Sequence, residues 1–172
     1  MRYSPNCHRW RWLRPWRARI AAWVIGLFDA TIEKVVALAA LMPLVANMGG
    51  IAGTQTLTAV VRGMALGRLE RSQIPWMLRR ELFSAAVNGL VWAALMGGLA
   101  LLWSGNPLLG AVVGVALLTN QFAAALAGAV MPLLLERFRI DPALAGGVIL
   151  TTVTDVVGFF TLLGLGSAVL LA

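Results

Sequence analysis

The chain has 172 residues, of which 60% are hydrophobic, and its mean hydropathy is +0.84. That composition excludes an ordinary soluble domain. A net charge of +7 would suggest nucleic acid in a soluble protein, but here membrane topology accounts for the basic residues and no nucleic-acid partner is expected.

Residues 1–19 form a basic segment in which Trp and Arg alternate through CHRWRWLRPWRAR. Trp favours the membrane interface and Arg the cytoplasmic headgroups, so the segment reads as a juxtamembrane anchor. Cys7 and His8 are adjacent ligands in a tail, which makes a poor metal site. Cys7 is the sole cysteine and excludes an internal disulfide. Arginines recur as far as Arg19, leaving no clean apolar core for a cleavable signal peptide.

A transmembrane portion is expected over residues 20–172. Ile20–Phe28 offers nine residues, too few to span alone when about 20 are needed. Extending it upstream brings in Arg14, Arg17 and Arg19, which are expected to snorkel to the cytoplasmic surface. The first helix is therefore either short and tilted or partly interfacial.

The second segment reads VVALAALMPLVANMGGIAGTQTLTAVVRGMALG over residues 35–67. Pro43 and the Gly49-Gly50 pair break its apolar run, while Asn47, Thr54, Gln55, Thr56 and Thr58 bring polar groups to membrane depth. Two readings stand: the small and polar residues glue helices together, or distorted backbone lines a wet cavity. Three further runs, Leu82–Trp103, Leu108–Leu135 and Ala143–Leu171, are each long enough to cross a bilayer as a helix. Asn88 and the Asn120-Gln121 pair predict interhelical hydrogen bonds of about 1 kcal/mol or less. Glycines at 97, 98, 110, 114 and 128 suit close helix contacts.

Six arginines precede Ile20, five lie between Val61 and Glu81, and Arg137 and Arg139 follow the third long run. The positive-inside rule puts the N-terminus and the 62–80 and 136–142 loops in the cytoplasm. Asp29–Lys34 and Ser104–Pro107 then lie outside. That alternation predicts five crossings of the inner membrane, with an external C-terminus. The fold class expected is an all-α polytopic membrane protein.

Asp155 is the one charge in the apolar run that closes the chain. An Asp at the centre of a membrane helix costs roughly 2.5–3.5 kcal/mol and commonly faces a cavity or marks an ion pathway. Thr151, Thr154, Asp155 and Gly158 follow at i, i+3, i+4 and i+7, one polar stripe of a helix. Hard oxygen donors suit Mg²⁺ or Ca²⁺, and Mg²⁺ is often held by one or two carboxylates through retained waters. A symmetric dimer would bring two such carboxylates together. The alternative for Asp155 is a protonated carboxyl or a pair with another intramembrane polar group. Asp141, just before Pro142, reads as a helix N-cap. Enzymatic chemistry is not expected. Aspartyl catalysis needs two carboxylates sharing a proton, His8 is the lone histidine, and no nucleotide-binding motif is present.

The string MPLVANMGGIAGTQTLTAVVRGMALG resembles the second-helix signature of the MgtE family of magnesium channels and transporters. DPALAGGVILTTVTDVVGFF is similar to that family's fifth helix. The resemblance implies a homodimer of five-helix subunits, with a cation pore at the dimer interface lined by the second and fifth helices. It implies that Asp155 holds a hydrated Mg²⁺, helped by the backbone carbonyl of Thr151. Asn47, Gly49, Gly50, Thr54, Gln55, Thr154 and Gly158 are the further pore-lining candidates. The transported ion is Mg²⁺ on this reading, with Co²⁺ and Mn²⁺ as alternatives because oxygen sites overlap in preference.

Three features depart from the family pattern. Ile51 stands where GGNAGTQ has Asn, the first helix is arginine-laden, and the cytosolic helical and CBS sensor domains have no counterpart in the sequence. Feedback closure by Mg²⁺ is accordingly not expected unless a separate regulatory subunit supplies it. The competing reading is a non-conducting membrane protein that associates with a complete transporter.

Overall fold

The structure, a computed structural model, describes residues 13–67 and 73–170, and these form six helices without a strand. They are α1 (Leu13–Gly26), α2 (Asp29–Lys34), α3 (Val36–Ala65), α4 (Ile74–Ser104), α5 (Pro107–Arg137) and α6 (Pro142–Leu170). Most of the basic N-terminal segment, including Cys7 and His8, lies outside the described residues.

Four helices are long and apolar enough to cross a membrane: α3, α4, α5 and α6. At 1.5 Å per residue each is about 45 Å long, which exceeds the roughly 30 Å hydrocarbon core. α1 has 14 residues, about 21 Å, and falls short of that thickness. The Asp29–Lys34 segment, expected as an external loop, is the short helix α2. α3 also differs from expectation. It runs through Pro43 and Gly49-Gly50 as one 30-residue helix, although Pro43 supplies no N–H to the preceding turn.

Caps fix the turns between the long helices. Gly105 ends α4 with φ 67°, a left-handed conformation that glycine adopts without a Cβ penalty. Asn106 then caps α5 by accepting from the Leu108 N–H at 2.9 Å. At the next turn Asp141 Oδ1 accepts from the Ala143 N–H at 2.9 Å, and Pro142 opens α6. The N-cap expected from the Asp-Pro pair is therefore present.

α5 is the centre of the bundle, with α3, α4 and α6 packed around it. Asn120, fully buried on α5, donates from Nδ2 to the Val45 carbonyl of α3 at 2.7 Å. A methyl group placed on Gly49 would sit 2.7 Å from Asn120 Cγ, and one on Gly158 would sit 2.9 Å from Nδ2. The glycines of α3 and α6 thus form the slot that receives the amide. Around it Leu38, Val45, Val113, Leu117, Leu162 and Leu163 make the apolar core. α1 lies along α6, and in the turn between α1 and α2 Phe28 meets Phe160 of α6 edge to face at 5.7 Å.

α4 packs along α5, and its outer side exposes Phe83, Leu90, Leu95, Leu99 and Leu102, as a lipid-facing helix does. The two backbones meet at Gly97 and Gly110. A Cβ on Gly97 would come within 2.7 Å of the Gly110 carbonyl oxygen, whereas Gly98 has nothing within 4 Å. Gly97→Ala is therefore expected to destabilise the protein by about 1–3 kcal/mol through overpacking, and Gly98→Ala to leave stability unchanged or slightly raised. Thermal unfolding in detergent micelles checks the pair; equal midpoints for the two variants would contradict the close approach.

Candidate cation site

Between α3, α6 and α1 lies an open groove of about 850 Å³. α3 contributes Asn47, Gly50, Thr54 and Gln55 to its wall, and α6 contributes Thr151 and Asp155. Six of the sequence-predicted positions are thereby brought together. Asp155 is the fourteenth residue of α6, counting from Pro142, so it sits about 20 Å from either end of the helix.

The remaining three candidates do not line the groove. Gly49 and Gly158 face α5 and enclose the Asn120 amide. Thr154 is fully buried, and its hydroxyl donates to the Thr151 carbonyl at 3.1 Å. The stripe divides for a geometric reason: each residue advances 100° round the helix, so Thr154 and Asp155 point apart. The seam between α6 and its neighbours falls between them. Thr151 turns its carbonyl towards Thr154 and its hydroxyl oxygen towards the groove.

Threonine hydroxyls elsewhere in the wall bond along their own helices. Thr54 donates to the Gly50 carbonyl at 2.7 Å and Thr58 to the Thr54 carbonyl at 2.8 Å. Thr151 similarly donates to the Gly147 carbonyl at 2.9 Å. Their hydrogens are thus directed at backbone, which leaves oxygen lone pairs for a cation or its waters.

A cation already faces this oxygen-bearing wall, and it belongs to the protein. Arg17 Nε donates to Asp155 Oδ2 at 3.1 Å, and Arg17 Nη1 donates to Thr151 Oγ1 at 3.3 Å. Arg17 was expected to reach the cytoplasmic surface; it turns into the groove instead. The reason is electrostatic, because a carboxylate whose side chain is only 13% exposed is costly without a counter-charge. Asp155 is thus paired with another polar group of the protein in this structure. Residue pattern alone did not identify Arg17, which is 138 positions away. The usable signal was the cost of an unpaired acid in a chain with an arginine on its first helix.

Two other side chains in the wall bear on the chemistry. Ile51, half-exposed, presents an apolar surface to the groove. Arg62 adds a second positive charge to its lining. Among the described residues no three His, Cys, Asp or Glu side chains cluster as a metal cage. One carboxylate with threonine and amide oxygens cannot replace a metal's whole water shell. The donor set fits a cation that keeps most of its water, as Mg²⁺ does.

Fold and site together define a polytopic helical membrane protein with a polar groove that holds a carboxylate midway along its last helix. Residues 42–165 match the MgtE family, described as a divalent cation transporter. The Magnesium transporter MgtE of Bacillus subtilis is 32% identical over 149 residues, covering 87% of this chain and 33% of the relative. The Magnesium transporter MgtE of Thermus thermophilus is 32% identical over 162 residues, covering 94% and 36%. That of Enterococcus faecalis is 30% identical over 132 residues, covering 77% and 29%. This chain belongs to the MgtE family. It spans about a third of the length of the curated relatives it matches.

The Arg17–Asp155 pair generates a direct test by double-mutant cycle. Arg17→Leu and Asp155→Asn are each expected to lower stability, and the double variant to lose less than their sum, with a coupling on the order of 1 kcal/mol. Chemical unfolding in micelles measures it; strictly additive losses would show that the two side chains do not interact.

Proposed function

We propose that the chain moves hydrated Mg²⁺ down its electrochemical gradient through a path bordered by α3 and α6. The observation that carries this reading is the guanidinium held by Asp155 and Thr151. It identifies a place in the groove where positive charge is stabilised at mid-membrane. A hydrated Mg²⁺ would take that place, with Asp155 and the Thr151 hydroxyl oxygen accepting hydrogen bonds from its waters. Twice the charge of Arg17 favours the exchange, and the groove is wide enough for a water shell.

A homodimer in which two grooves face each other would pair the Asp155 carboxylates around one ion and enclose the open side in protein. The single acid per groove and the groove's open side support this arrangement, and the relatives' printed role supports the ion. Arg17 would then act as a tethered competitor, withdrawn when the ion binds. The positive-inside rule supports an inner-membrane orientation with the N-terminus cytoplasmic and the C-terminus external. Mn²⁺ and Co²⁺ would use the same oxygens less selectively.

Liposomes containing the purified chain and a Mg²⁺-sensitive dye test the reading. Mg²⁺ influx is expected in the parent protein and at least tenfold less in Asp155→Ala. Arg17→Ala is expected to lower the Mg²⁺ concentration needed for half-maximal flux. Undiminished flux in Asp155→Ala would overturn the site. Ile51 and the Arg17–Asp155 pair also favour a competing reading, a non-conducting protein that associates with a complete transporter; absence of flux from the parent chain would select it. For a conducting chain, Ile51→Asn restores an amide to the groove wall and is expected to raise the maximal Mg²⁺ flux several-fold. Equal flux in the two proteins would show that Ile51 does not limit passage.

A further inference from the structure

Round α3 from the groove lies a second cavity of about 230 Å³, walled by α3, α4 and α5. Its polar lining comes from Gln55, Thr56, Glu81, Ser84, Asn88 and Gln121, and the rest of the wall is alanine. Every polar side chain there offers oxygen, and no Lys or Arg lines it among the described residues. Glu81 accepts from the Thr56 hydroxyl at 2.9 Å through Oε2, leaving its other lone pairs for a further partner.

Gln121 supplies an independent indication. It is 3% exposed, and its Oε1 has no hydrogen-bond partner among the described residues. A buried amide oxygen without a donor is uncommon in native proteins and calls for an unseen water or ion. Gln121 lines the cavity, so a rotation of its amide brings that oxygen to a bound water. At about 30 Å³ per water, the cavity holds roughly seven waters, the volume of a small cation with a complete first shell. Hard oxygen donors that cannot strip such a shell select an ion that retains it.

We propose that this cavity is a second, intra-subunit site for a hydrated divalent cation, with Glu81 balancing its charge and Gln121 Oε1 accepting from its water shell. Glu81 is the eighth residue of α4, about 10 Å along that helix, so the site is distant in depth from mid-membrane. Gln55 and Ala59 line both this cavity and the groove. An ion beside Glu81 therefore braces the stretch of α3 that also faces Asp155. This site does not depend on the chain conducting.

The test uses the full chain in detergent micelles carrying Asp155→Asn, which removes the groove carboxylate. Mn²⁺ is titrated in, and free Mn²⁺ is read by electron paramagnetic resonance. Saturable binding is expected to persist, to be competed by Mg²⁺, and to weaken at least tenfold when Glu81→Gln is added. Ser84→Ala with Asn88→Ala, at exposed positions, is expected to weaken it about threefold. Loss of all binding on Asp155→Asn alone would overturn the proposal, as would binding indifferent to Glu81→Gln and to the Ser84/Asn88 variant. Flux plays no part in this readout, so failure of transport in liposomes leaves the two conclusions separable.

Discussion

Asn120 is the point at which three membrane helices are held together. In lipid, helices gain little from hydrophobic association, because the surrounding chains are as apolar as their own side chains. Close packing and interhelical hydrogen bonds must supply the contact. The Asn120 amide does both: it bonds to the Val45 carbonyl and fills the slot left by Gly49 and Gly158. α3 and α6 are consequently brought alongside each other on one side of α5. The groove between them, and the meeting of Thr54 and Gln55 with Thr151 and Asp155, follow from that arrangement.

Charge is the second constraint. A carboxylate at the middle of a 29-residue membrane helix requires a counter-charge, a proton or a polar shell. Arg17 supplies the counter-charge, and the length of α1 fits that duty. A helix of about 21 Å that carries arginines is ill suited to span by itself, but it can lie against α6 and deliver one guanidinium to mid-depth. On the proposed function, the same contact is where an incoming cation would be stabilised. Within the groove the Asp155 carboxylate is thus countered by a tethered guanidinium.

Much of this was legible in the order of residues. Runs of more than 20 apolar residues can satisfy their backbone in lipid only as helices, so α5 and α6 were readable to within a few residues, while α4 starts at Ile74, eight residues before the run expected from Leu82. The Asp-Pro start of α6 was readable because capping is a local hydrogen bond. Continuity of α3 through Pro43 was not, since neighbouring helices decide whether a missing N–H and flexible glycines distort a span. Glu81 was equally obscure. It stands beside a basic loop, and only the approach of Thr56 and Gln121 across the bundle gives it a polar cavity.

The sequence by itself determined the solvent and the helical class, which rest on composition and run length, the family, which rests on two motif strings, and the isolation of Asp155 as one charge in an apolar run. Tertiary structure decided which polar residues share a cavity. Gly49, Thr154 and Gly158 went to the helix seams, while Arg17 came to the carboxylate from the other end of the chain. Periodicity specifies which residues share a helix face to within a quarter-turn. Where the seam cuts that face depends on the neighbouring helices, and only their packing sets it.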